Sequence, residues 1–185
     1  MCPQANKNLD FKRLGTTFNL VNIMFGLFKS KKKSAKQRDI SATVAEELFS
    51  QIKQARDEAK AGGIVDEKVF NDRLNAMYVA GYLLGYVDTH ISDITDDDSV
   101  KKQYAESAFE AMFPGVGTDF IKEKLAVRKK APQLSADDSK YAEIAGHCNA
   151  FDTGMNDAEE EVEAIREKSD YQPQKLKEFL LLGES

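Results

Sequence analysis

Tryptophan is absent from this chain, and its 185 residues hold only two cysteines, two histidines and four prolines. Two cysteines, Cys2 near a terminus and Cys148 within an apolar helical pattern, do not make a disulfide framework. With 42% hydrophobic and 31% charged residues and few prolines, the chain is neither fibrous nor broadly disordered in composition. No apolar run approaches the roughly 20 residues that a membrane-spanning helix needs. The nearest candidate near the start, Phe18 to Phe28, reads FNLVNIMFGLF, eleven uncharged residues. Its main lysine cluster follows it and no small-residue cleavage site appears, which is the wrong order for a secretory signal.

What is present is a strong asymmetry of charge. Residues 1–38 carry nine Lys or Arg against one acid, Asp10, a net of +8, whereas residues 39–185 carry seventeen basic against thirty acidic side chains, a net of −13. Blocks of like charge rarely enter a packed core, so residues 1–38 read as a flexible, disordered basic leader and residues 39–185 as a separate folded domain. The stretch MFGLFKSKKK from Met24 resembles a native N-terminus, so the sequence leaves two starts open, Met1 and Met24, the second placing residues 1–23 upstream of the protein. Phe25, Leu27 and Phe28 beside Lys29, Lys31, Lys32 and Lys33 form a candidate contact for an anionic membrane surface or partner, each lysine near such a surface contributing about 1 kcal/mol. The competing reading is a solvated tail. An acidic body repels phosphate, and the leader's lysines are not interleaved with stacking aromatics, so no specific nucleic-acid binding is expected.

After Ile40 the apolar residues recur at helical spacing. Ile40, Val44, Leu48, Ile52, Ala55 and Ala59 form one stripe, Thr43 and Glu46 are spaced as a capping box, and Gly62-Gly63 closes the helix. A second helix is expected from the N-cap Asp66 to about Ser92, uncharged from Ala76 to Val87 and hence central to a bundle. Val100 to Phe113 form a third, with Tyr104, Ala108, Phe109, Met112 and Phe113 inward and N-caps among Asp93, Asp96, Asp97 and Asp98. Pro114-Gly115 ends it, and Thr118 is expected to cap a fourth running through Val127 with Phe120, Ile121 and Leu125 inward. Ser135 and Asp138 then cap a long helix whose Tyr141, Ile144, Cys148, Phe151, Met155, Ala158, Val162 and Ile165 alternate spacings of three and four. Gly154 is a candidate kink, and Pro173 opens a last helix burying Leu176, Phe179 and Leu180. The expected fold is all-α, a bundle of five or six helices.

Residues able to carry chemistry are few. Gly81 and Gly85, each costing about 1 kcal/mol within a helix, imply a close approach on one face, and Tyr78, Tyr82 and Tyr86 run beside them. Together these five residues are either a shallow groove for a ligand or peptide, or tight helix packing with hydroxyls at the rim; packing is preferred. His90 with Asp93 and His147 with Glu143 are two His-carboxylate pairs that would make a metal site if they converged, although the ExxH pattern of di-iron bundles is missing. Neighbours His147 and Cys148 point about 100° apart on a helix and make no dyad. Neither acidic stretch is an EF-hand: from Asp93 the register places Asp98 where glycine is required, and Asp152 to Glu163 places Asp157 there. No catalytic residue and no cofactor are called for. The long seam from Tyr141 to Ile165 serves either packing within the chain or a homodimer. The expectation is a non-enzymatic cytoplasmic interaction or adaptor protein with a protein partner, peripheral at the inner membrane face through its leader. The alternative is a metal-binding helical bundle, with or without catalysis, using the two His-carboxylate pairs.

Overall fold

The computed structural model describes residues 35–130, 140–168 and 170–183. Among them it is all helical, with α1 Ala35–Gly62, α2 Glu67–Leu74, α3 Met77–Ser92, α4 Asp98–Met112, α5 Gly117–Lys130, α6 Tyr141–Glu167 and α7 Lys175–Leu182. The leader residues Phe25, Leu27, Phe28, Lys29, Lys31, Lys32 and Lys33 lie outside the described residues, as do Ser135 and Asp138.

Most boundaries follow from local chemistry. Gly63 takes φ 60° directly after α1, a left-handed conformation that costs glycine little. The Asp66 carboxylate accepts the Val69 N–H at 2.9 Å and starts α2. Of the four candidate acids Asp97 is the cap, accepting from Ser99 N–H at 2.8 Å and Val100 N–H at 3.2 Å, while Asp98 is the first residue of α4. Its carboxyl is held below the usual range first by the Ser99 hydroxyl, which donates to it at 2.7 Å, and then by those two N–H groups.

Four expectations need correction. The stretch from Asp66 to Ser92 is two helices, because the Asn75 side-chain amide donates to the Asn71 carbonyl at 2.8 Å and Ala76 turns extended at ψ 157°. The Asn75 amide is a second donor on the Asn71 carbonyl, which the Asn75 backbone N–H also reaches at 3.1 Å, and such local side-chain bonding caps the last turn of α2. Thr43 and Glu46 lie inside α1 rather than at its start, and Thr118 lies one residue inside α5. Gly154 does not kink α6, which is continuous across Asp152 to Glu163 and so forms no calcium loop there.

α3 is the centre. Tyr78, Val79, Ala80, Tyr82, Leu83, Tyr86 and Val87 are all buried. Tyr78 pairs with Asp157 and Tyr82 with Glu161, so α3 and α6 run parallel in register; Tyr82 meets Gln51 and Tyr86 meets Glu47, so α1 runs antiparallel. The predicted inward faces of α1 and α4 are buried except for Ile40, which is half-buried, and the Ser41 hydroxyl donates to the Tyr104 carbonyl at 3.3 Å where those helices meet. The expected seam on α6 divides: Phe151, Ala158 and Val162 are fully buried in the chain's own core, while Tyr141 is 40% exposed and Cys148 half-buried.

Backbone contact between α3 and α6 rests on glycine. A Cβ on Gly81 would lie 2.0 Å from the Phe151 carbonyl oxygen, one on Gly85 2.7 Å from that of Met155, and one on Gly154 2.1 Å from that of Tyr78. No side chain fits those gaps. Gly81→Ala therefore should destabilise the protein by at least about 2 kcal/mol through overpacking. By contrast Gly146→Ala, with open space at its Cβ, should stabilise it by about 0.5–1 kcal/mol as an ordinary helix-interior replacement. Urea midpoints of the two variants check this; similar midpoints would exclude the proposed backbone contact as a stabilising feature.

Candidate functional site

The parallel register of α3 and α6 sets phenols one turn apart on one helix against carboxylates one turn apart on the other. Tyr78 donates to Asp157 Oδ2 at 2.8 Å, Tyr82 to Glu161 Oε2, and Tyr86 to Glu47 Oε2 of α1 at 3.0 Å. Gln51 Oε1 lies 3.2 Å from the Tyr82 hydroxyl and shares its single proton. The rings line up as a ladder continued by Phe179 stacked on Tyr78, centroids 4.2 Å apart, and by His90 tilted against Tyr86, 4.9 Å apart. The five residues read as a candidate groove thus form no open groove. Gly81 and Gly85 are covered by α6 and the tyrosines are buried, which is the packing alternative.

Glu161 is the least expected member. It is 1% exposed and has no cation on its carboxylate among the described residues. Its charge is met by hydrogen bonds: besides Tyr82, it accepts from the Tyr171 hydroxyl at 3.2 Å, the Gln174 N–H at 2.6 Å and the Lys175 N–H at 2.9 Å. The last two donors are the unpaired N–H groups at the start of α7, so the carboxylate sits at the positive end of that helix dipole. At the other end Arg73 of α2 donates to the carbonyls of Leu180, Leu181 and Leu182 at 3.1, 2.6 and 3.1 Å. Opposite charges from two helices therefore hold the two ends of α7. Lys175 itself turns to Asp157 at 2.7 Å and Glu160 at 2.5 Å. Burial pulls its ammonium pKa down, but these carboxylates outweigh that and hold it well above the ordinary lysine range.

The same surroundings decide protonation. Burial first, then the neighbouring carboxylates, push Tyr78, Tyr82 and Tyr86 far above the usual phenol range, so all three remain neutral donors. Each phenol is thus fixed as a donor to a carboxylate, and the three bonds form one network across α1, α3 and α6. His90 is pulled below its ordinary pKa by burial, with Arg166 adding to that and Glu47 and Asp93 opposing it.

The four proposed metal ligands are dispersed. His90 Nε2 lies 3.9 Å from Glu47 and has no hydrogen-bond partner among the described residues, while Asp93 is engaged by Arg166. His147 lines a different cleft with Met77, Ala150 and Phe179 near the start of α3, and Glu143 is exposed. Because α3 rises about 1.5 Å per residue, Met77 and His90 are some 20 Å apart along its axis. Among the described residues no three His, Cys, Asp or Glu side chains are grouped to hold a metal ion. Sequence reasoning missed Glu47, Arg73, Asp157 and Glu161. One signal was available: Asp157 and Glu161 repeat the four-residue spacing of Tyr78 and Tyr82.

Replacing Glu161 by Ala leaves buried donors unpaired at the start of α7, and the expected loss is more than about 3 kcal/mol; Glu161→Gln, which keeps an acceptor oxygen, should lose about half of that. Chemical denaturation of both variants tests the ranking. The ladder also predicts a pH limit. Folding favours neutral phenol, so the stabilisation is complete below the unfolded tyrosine pKa of about 10 and erodes above it, by up to about 1.4 kcal/mol per tyrosine per pH unit. In alkaline titration followed at 295 nm, Tyr78, Tyr82 and Tyr86 should ionise only together with loss of helix; their ionisation in the folded protein would contradict the ladder.

Comparison with known proteins returned no significant match to any protein-family model, any curated protein or any solved structure.

Proposed function

We propose that this protein is a non-enzymatic helical interaction or adaptor protein of the cytoplasm, brought to an anionic membrane surface by its basic leader. The observation that carries the reading is the divided seam of α6. Phe151, Ala158 and Val162 are consumed in the core, but the preceding positions of the same apolar stripe, Tyr141, Ile144 and Cys148, remain exposed or half-buried among the described residues. Apolar positions left uncovered at helical spacing are what a partner helix reads. Supporting it, the buried ionisable ladder has internal partners for its phenols and for Glu161, which suits a rigid scaffold. No helix among the described residues is long and apolar enough to cross a membrane, so a membrane role falls to the surface contact of Phe25, Leu27, Phe28 and the adjoining lysines. The partner is a protein, and a second copy through the Tyr141 to Cys148 part of the seam is one form of it. The metal-binding alternative loses support from the separation of His90 and His147.

Two measurements test this. Sedimentation with anionic vesicles should show salt-sensitive binding by the full chain and none by a chain begun at Asp39; equal binding by both forms removes the leader from the function. Light scattering after size exclusion should show association at high concentration that Tyr141→Asp with Ile144→Asp abolishes without loss of helicity. A monomer at every concentration rules out the second copy.

A further inference from the structure

A cleft outside the tyrosine ladder opens between α3, α4 and α5, with a volume of about 440 Å³. That is the size of small-ligand pockets, at the lower end of their usual range, and too small to bed a partner helix along its length. Its floor is apolar: Leu84 of α3, Ala105 and Phe109 of α4, and Ile121 and Leu125 of α5. Phe109 and Ile121 are buried there, and Leu84, Ala105 and Leu125 are half-buried.

The cleft has a direction. α4 and α5 are joined by the tight turn of residues 113–116, and Gly117 lies so close to Phe109 that its Cβ would stand 2.0 Å from that carbonyl oxygen. The end of the cleft next to this turn is lined by Phe109, Ile121 and Thr118 and carries no charged residue. Moving away from the turn, α4 runs back to Lys102 and Lys101 and α5 forward to Lys129, so the opposite end is the basic mouth. Lys122 stands midway with Glu106, and Asp88 and Asp98 share the mouth. Lys101 donates to Ser92 at 2.9 Å, whereas Lys102, Lys122 and Lys129 have no ion pair among the described residues. Four lysines against three acids line this cleft, while residues 39–185 as a whole hold seventeen basic against thirty acidic groups. The lining of this apolar cleft thus carries a net +1 (four minus three), while residues 39–185 together carry −13 (seventeen minus thirty).

We infer that the α3–α4–α5 cleft binds a small amphipathic anion, its alkyl chain on the floor of Leu84, Phe109, Ile121 and Leu125 and its anionic head at Lys101, Lys102 and Lys129. An apolar tail is needed because a bare anion would gain nothing from the floor and would meet Asp88 and Asp98 at the mouth. An anionic head is needed because a neutral tail leaves unpaired lysines beside a newly dry surface.

The test uses the full chain and dodecanoate below its micelle concentration. Calorimetry should give saturable binding near one equivalent, and methyl resonances of Leu84, Ile121 and Leu125 should shift on titration. Lys102→Glu with Lys129→Glu, both exposed and safe for folding, should weaken binding at least tenfold, and Ala105→Phe should block it. Absence of saturable binding overturns the inference, as does binding that leaves those methyls unmoved. Binding whose affinity is the same in the charge-reversed variant overturns the assignment of the head group to the lysines.

Discussion

The bundle depends on the approach of two helix backbones at three glycines. Gly81 and Gly85 on α3 and Gly154 on α6 leave no room for a Cβ, and only that closeness lets the phenols of α3 reach carboxylates of α6 across the contact. Small residues permit the approach, the parallel direction sets the register, and the four-residue repeat on each helix turns one hydrogen bond into a ladder. The glycines' helix-propensity cost of about 1 kcal/mol each is offset by a dry, close-packed contact that no larger residue permits.

From that contact the polar interior follows. Glu161 is carried into the core by the face of α6 that packs on α3, and a carboxylate there without a cation would be intolerable unless several donors met it. The start of α7 supplies two backbone donors and Tyr82 and Tyr171 two more. In consequence a helix of eight residues, too short to be stable alone, is fixed at one end by Glu161 and at the other by Arg73. The C-terminal segment is thereby tied to α2, α3 and α6 at once.

Much of this was legible in the sequence and some was not, for identifiable reasons. The apolar stripes of α1 and α4 and the caps Asp66 and Asp97 are local patterns, and local patterns survive into the fold. The break at Asn75 was hidden because nothing in the residues before Ala76 signals a stop except an asparagine, which helices tolerate. Glu161 was hidden by its neighbours: it is one of four glutamates within residues 159–163, and sequence alone does not say which one turns inward. Tyr78, Tyr82 and Tyr86 were visible as a row, but an open groove and a buried ladder share the same spacing. The two His-carboxylate pairs were real as local spacings, yet the parallel run of α3 and α6 keeps them at opposite ends.

By itself the sequence determined the helical class, the charge division between leader and body, which face of most helices turns inward, and that something must lie close against Gly81 and Gly85. These are properties of periodicity and composition, set within a few turns of chain. Tertiary structure alone decided that this neighbour is α6, that it runs parallel, that Glu161 caps α7 and Arg73 closes it, and that lysines of α4 and α5 gather at one cleft. Those outcomes depend on the relative direction and register of helices far apart in the chain, and a repeat of 3.6 residues carries no information about which distant turn it will meet.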